Sequence, residues 1–386
     1  RLIQSVRLFE ARVLVALMAA ALSPIAGADA ASLCVNPGGT GGCFSSVQAA
    51  IDAAVSRDVI AIAAGTYPEA VSIPAHKGRL TLSGAGASVT TLAGAGAANT
   101  LALLGPGVDV QVSGLTISGA TTPPGALFPN AGVAVGRTTR GTFSSVVITG
   151  NDIGLLVEAS ATITDSTIAA NANTGVLVGG RLRMARCVSS GNGTPGVSGG
   201  GGLVVAGGRA LVSASTISGN VSTGLGGAYR LGSGVDVSGF YTSGSLTLES
   251  STVAGNVGTN PDDPGVSIGY NHPKARLRNV IVAGNTAAGS PLDCHTGPFA
   301  RLSLASVSLI EDPTGCVAQL GPGAMLLTGD PLLGPLQNNG GPTPTMALLP
   351  GSSAIGVLTR KSDCTSPDQR GVARSVPCDL GAFEAP

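Results

Sequence analysis

Tryptophan is absent from this 386-residue chain, aromatic residues make up only 3%, and charged residues only 11%. The only lysines are Lys77, Lys274 and Lys361. The scarcity of the residues that build long solvated helices counts against extended helices and coiled coils. Twenty-one Lys and Arg balance twenty-one Asp and Glu, giving net charge zero. No basic field is therefore available to neutralise a phosphate backbone, which counts against nucleic acid as a partner. Low charge here does not signal disorder, because hydrophobic residues reach 43% and mean hydropathy is +0.38. The chain has the apolar material for a packed core. What it has in excess is glycine, 59 residues, accompanied by Ser, Thr and Val. That composition predicts a mostly β structure with many sharp corners.

Residues 1–30 read as a signal peptide: Arg1, Arg7 and Arg12 precede the apolar run Val13–Leu22, and Ala28-Asp29-Ala30 supplies a small-x-small cleavage pattern. The run is shorter than the ~20 residues of a spanning helix, and Pro24 and Gly27 interrupt it. No later segment reaches that length free of charge or glycine, so no membrane span is expected in the mature chain. Seven cysteines follow, spaced as in an oxidising compartment. Cys34 and Cys43, Cys294 and Cys316, and Cys364 and Cys378 are the disulfide candidates. Cys187 is left over in an apolar stretch and reads as a buried thiol. No C-x-x-C spacing or Cys/His cluster exists, so no metal ligand set is assigned.

A repeat organises the middle of the chain. A Thr/Ile/Val phrase ending in Gly-Asn or Ala-Asn recurs at Asn151, Asn171, Asn192, Asn220, Asn256 and Asn285, at intervals of 20, 21, 28, 36 and 29. Gly-led apolar runs such as Gly154-Leu155-Leu156-Val157 and Gly175-Val176-Leu177-Val178 follow most of these asparagines. A period near 20 is too short for a propeller blade of about 40 residues but fits one coil of a parallel β-helix, with the longer intervals as inserted loops. The corner asparagines would stack at the ~4.8 Å strand spacing and hydrogen-bond along the stack. Alternation within the runs, as in Thr162, Ile163, Thr164, gives each strand an inner and an outer face.

Solenoid ends expose apolar interior and need covering. At the front, Ser45-Ser46-Val47-Gln48 reads as a capping box, and Val47, Ala50, Ile51, Ala54 and Val55 form an apolar helical stripe. Strand-like Val59–Ala63 follows, then Gly65-Thr66-Tyr67-Pro68-Glu69-Ala70-Val71. This opening resembles the start of pectin-lyase-like right-handed β-helix proteins. At the back, Gly334–Ile355, Asp368-Gln369-Arg370-Gly371 and Cys378-Asp379-Leu380-Gly381-Ala382-Phe383-Glu384 resemble the choice-of-anchor Q domain. That resemblance implies a secreted or surface-displayed bacterial β-helix protein. Met346 and Gly356 depart from its common His and Asp.

The expected fold is therefore all-β, a right-handed parallel β-helix with an N-terminal capping helix and an irregular C-terminal cap. Residues 1–30 form the signal peptide, 31–78 the N-terminal cap and first coil, 79–329 the β-helix repeats, and 330–386 the choice-of-anchor Q-like cap.

The chemistry-bearing residues are few. Glycoside hydrolysis needs two carboxylates about 5–10 Å apart. Glu158 and Asp165, Asp236 and Glu249, and Asp262 with Asp263 are the available acids, each readable as a solvated turn residue. The polygalacturonase phrases N-T-D, G-H-G and R-I-K, the pectate lyase phrase R-x-P-x-x-R, and the pectin methylesterase phrases Q-A-V-A-L and D-F-I-F-G do not occur. No lysine lies beside an acidic cluster, and His76, His272 and His295 are isolated in sequence, so no lyase base and no Ser/His/Asp set is assigned. Arg181 with Arg183, and Arg276 with Arg278, share strand faces by period-two spacing. With Arg186 and Arg209 they would make a basic stripe if coils align, although solubilising outer charge is the simpler reading. Tyr229, Tyr241 and Tyr270 fall in the longest inter-coil insertions, where binding loops sit.

These features assign no catalytic, cofactor or metal residue. They point to a secreted or surface-associated, non-enzymatic protein with a structural, adhesive or surface-interaction role, expected to be monomeric, with a cell-surface or extracellular polysaccharide or protein as partner. A lyase or hydrolase acting on an acidic polysaccharide through residues 225–275, and a lectin-like module, are the alternatives.

Overall fold

The computed structural model describes residues 30–386, except 97, 124–128, 197–198, 224–231, 239–242, 262 and 270–271. Residues 1–29, most of the stretch 1–30 that the sequence predicts to be a signal peptide, thus lie outside the described residues, and the unit spanning Ser32–Pro386 is the one described. Among the described residues no helix is long and apolar enough to cross a membrane.

Strands of two to seven residues return to the same three faces at each turn of the chain. Here sheet 1 has twelve strands, sheet 2 eleven and sheet 3 nine. All the pairings within these sheets are parallel, and neighbours in each sheet come from successive coils, which makes the fold a parallel β-helix. Alternation sets the inside: on sheet 1, Leu82, Val112, Phe143, Ile163, Met184, Val212, Leu248, Leu277 and Leu304 are register partners, and all are buried. Their next partner, Leu320, is 57% exposed at the final coil.

Corners carry their own ladders. Asn151 Nδ2 donates to Asn171 Oδ1 at 3.0 Å, and the pattern repeats through Asn192, Asn220, Asn256 and Asn285 at 2.8–2.9 Å. The residue before each corner is left-handed, Gly at 150, 191, 219, 255 and 284 but Ala at 170, with φ +52°. At the preceding corner a hydroxyl ladder runs through Ser166, Ser215 and Ser251, each bonding the carbonyl two residues back. Cys187 occupies a rung of it, its thiol 3.2 Å from the Ala185 carbonyl oxygen, which explains an unpaired cysteine in this stretch.

The N-terminal helix α1 (Val47–Ala53) lies over the first coil, burying Val47, Ala50 and Ile51. Two expectations about it are corrected. Ser46, not Ser45, is the cap, and the acidic partner comes from the next coil: Glu69 accepts from Ser46 Oγ, Val47 N and Gln48 N at 2.7–3.0 Å. Gln48 instead reaches Asp52 and Ser72. Val55 lies beyond the helix and is 56% exposed. Lys77 Nζ closes the other end on the Asp52 and Ala54 carbonyls. Glu69 and Lys77 thus place opposite charges at the helix ends that favour them.

The C-terminal segment runs along the outer face of sheet 2. Leu348, Leu358, Leu380 and Phe383 pack on Ile281 and Leu309, while Thr216 Oγ1 donates to Gln369 Oε1 at 2.6 Å and Ala382 N to Thr252 Oγ1 at 3.0 Å. Asp368 organises the segment, accepting from Arg370 N, Val372 N, Glu384 N and the Arg370 guanidinium, which stacks 3.7 Å over the Phe383 ring. Arg374 and Glu384 form a buried ion pair at 2.8 Å. Three disulfides join Cys34–Cys43, Cys294–Cys316 and Cys364–Cys378, closing loops of 9, 22 and 14 residues.

Candidate functional site

Inward placement of Leu182 and Met184 forces Arg181 and Arg183 outward on sheet 1. Register then decides which cations meet. Arg140, Ser160, Arg181, Arg209, Ser245, Lys274 and Arg301 are successive partners in one column. Five of these seven positions are cationic, over about 29 Å at ~4.8 Å per coil. All five cations are exposed, and among the described residues none has a carboxylate within ion-pair distance. Arg276, two residues beyond Lys274, stands in the adjacent outward column, one strand-step from Thr247. Arg140, Ser160, Arg181 and Arg209 border an open depression floored by Gly179, Gly180, Gly207 and Gly208. Glycine is required at 180 and 208, where a Cβ would lie 2.2 Å from the Ala159 carbonyl oxygen and 2.6 Å from that of Gly180.

Two arginines fall outside the stripe that the sequence offered as the alternative to solubilising charge. Arg186 turns at a left-handed corner and makes a bidentate pair with Asp165, both bonds 2.7 Å, and this partner raises its pKa. Arg278 binds Asp363 at 2.9 Å and the Ser362 carbonyl. Arg140, Lys274 and Arg301 join in their place. Their sequence signal was one cation at the start of each strand, visible only after the register is known.

The acidic candidates do not converge. Glu158 is exposed before sheet 1, Asp165 is held by Arg186, and Glu249 is on sheet 1 beside Arg278 while Asp236 is buried on sheet 3. Asp263 is buried and accepts from Asn260 Nδ2 at 3.0 Å, while Asp262 lies outside the described residues, as do Tyr229, Tyr241 and Tyr270. Among the described residues no group of three or more His, Cys, Asp or Glu could hold a metal ion.

Sheet 3 does bring together three residues that sequence reasoning kept apart. Asp236, Ser267 and His295 are register partners in one column, the first two buried and His295 half-buried. Serine stands between carboxylate and imidazole. A proton relay of the serine-hydrolase type needs the imidazole in the middle, so the order does not suit it. Cys187 is no nucleophile either, because burial pushes its thiol up to about 12.

Stacked parallel sheets with ladders at their corners define a β-helical solenoid. Residues 105–298 match the family model described as the right handed beta helix region, and the chain belongs to that family. No curated protein matches the sequence. The solved structure of pectate lyase Pel9A is similar over 92% of this chain and 96% of its own, at 15% identity and a TM-score of 0.55. Alginate lyase from Paenibacillus sp. str. FPU-7 aligns over 78% and 98%, at 16% identity and 0.45. Pectin methylesterase PemA from Erwinia chrysanthemi aligns over 71% and 90%, at 15% and 0.35. At these identities the likeness to Pel9A concerns the fold alone.

Proposed function

We propose that this is an exported, non-enzymatic β-helix protein that holds an acidic extracellular polysaccharide on the outer face of sheet 1. The column Arg140, Arg181, Arg209, Lys274 and Arg301 carries the reading. Like charges directly opposite one another on adjacent strands are destabilising, as at Arg181 with Arg209 and Lys274 with Arg301. Anionic groups laid along the column relieve that repulsion and form charge-assisted hydrogen bonds with guanidinium groups. The three disulfides support an extracellular setting, and residues 1–30 are assigned as the export signal. Residues 330–386 are assigned to the choice-of-anchor Q type on the resemblance of Gly334–Ile355, Asp368-Gln369-Arg370-Gly371 and Cys378–Glu384.

The test is titration of the protein with polygalacturonate and alginate at about 50 and 200 mM salt. Binding that weakens linearly in log–log form with salt, and falls further in Arg181→Glu and Arg209→Glu, is expected. Absence of binding at the lower salt overturns the reading.

A second reading, cleavage of such a polymer by the 225–275 stretch, draws on the column of Asp236 and Ser267 with His295, the half-buried imidazole serving as a base and not as part of a serine relay. Release of new reducing ends or unsaturated products, lost in Asp236→Asn, would establish it. Polymers returned intact dismiss it.

A further inference from the structure

Lys274 and Arg301 are register partners one coil apart, and His272 and Phe299 stand two residues before them, at the corner where sheet 3 passes into sheet 1. The two rings pack with centroids 5.3 Å apart at 43°. Phe299 is 62% exposed, whereas Phe143 and Phe383 are buried and Phe44 half-buried. His272 is exposed as well. Apart from their contact with each other, the two rings are largely left to solvent at the end of the cation column.

We infer that this corner is a stacking subsite for one pyranose ring of an anionic glycan, an assignment that rests on the polysaccharide-binding reading above. The apolar C–H face of the sugar lies on the Phe299 ring, whose face carries negative quadrupole density. Its carboxylate or sulfate is taken by Lys274 and Arg301. The two cations lie one strand spacing apart and belong to the longer column. The bound ring therefore continues a chain running along the solenoid axis past Arg209 and Arg181. A bare polyanion satisfies the cations and leaves the rings unused, so the aromatic pair favours a sugar over inorganic polyphosphate.

The chain contains no tryptophan, so Phe299→Trp installs a single fluorescent reporter. Oligogalacturonate is expected to shift its emission saturably. Phe299→Ala is expected to weaken binding by about tenfold, the effect of one lost ring contact, with an unchanged thermal melt because the ring is exposed. Lys274→Ala with Arg301→Ala should remove the preference for oligogalacturonate over its methyl ester. Dextran sulfate separates a sulfate preference from a carboxylate one, and polyphosphate should bind without changing the emission. If the native protein binds oligogalacturonate and Phe299→Ala binds it equally, the subsite is wrong while the basic column stands. If oligothymidylate, which also stacks on aromatic rings, shifts the emission more tightly than any glycan, the ligand class is wrong. If nothing binds the native protein, both readings fall.

Discussion

Asn285 donates both its backbone N–H and its side-chain amide to one oxygen of Asp293, at 3.0 and 2.8 Å, and so ends the asparagine ladder on a carboxylate. The side-chain ladder has a direction: each amide donates to the Oδ1 of the next rung, each Oδ1 accepts from the rung before, and the amide also donates back to a backbone carbonyl of an earlier coil. Its last member needs only to accept, and the other Asp293 oxygen takes the Asp312 N–H at 2.8 Å. Asparagine suits the interior rungs and aspartate the end.

Breaking an interior rung should be costly. Asn192→Ala removes the acceptor of Asn171 N and Nδ2 and the donor to Ile168 O, all buried. Each orphaned group costs about 1–3 kcal/mol, so urea denaturation should show a loss of at least about 3 kcal/mol. A loss below about 1 kcal/mol would mean that water enters the stack.

Burial holds the Asp293 carboxyl above its ordinary value of 3.8, against the pull of the bonds from Asn285 and Asp312. The folded chain therefore binds this proton more tightly than the unfolded one. The stability it contributes is fully present below pH 3.8 and is lost as pH rises through the folded value. Asp293→Asn cannot ionise and should flatten the stability profile above pH 3.8, where the native carboxyl loses its proton. A profile unchanged by the substitution contradicts the assignment.

Ala170 stands at φ +52° where the other corners have glycine. A left-handed alanine is strained by about 1 kcal/mol, so Ala170→Gly should raise the melting temperature and Gly219→Ala lower it. Opposite signs would show that unfolded-state entropy outweighs the strain.

Cys187 should resist iodoacetamide in the folded protein at pH 8 and react after unfolding, since burial pushes its thiol up to about 12. Cys187→Ser should fold normally, because Ser166 and Ser215 fill the neighbouring rungs. Cys187→Val, which cannot bond the Ala185 carbonyl, should be the less stable of the two, as thermal melts will show.

Much of the scaffold was legible because its physics is local and periodic. An interval of about 20 residues bounded by Gly-Asn leaves the chain few ways to bury its alternating apolar residues, and a stacked coil satisfies all of them. The helix end was less legible. Ser46 caps it together with Glu69 from the following coil, a partner 23 residues away that no local pattern reveals. The basic stripe was only half read: Arg186 and Arg278 appear equivalent to their neighbours until Asp165 and Asp363 are seen to claim them.

The sequence by itself determined the coil, the corners and the scarcity of charge, because each depends on residues close together in the chain. Tertiary structure alone decided which of the scarce charges act together. Loops of different length separate Arg140, Arg181, Arg209, Lys274 and Arg301, so their alignment is a property of inter-coil register, fixed by the buried columns and the asparagine ladder behind them.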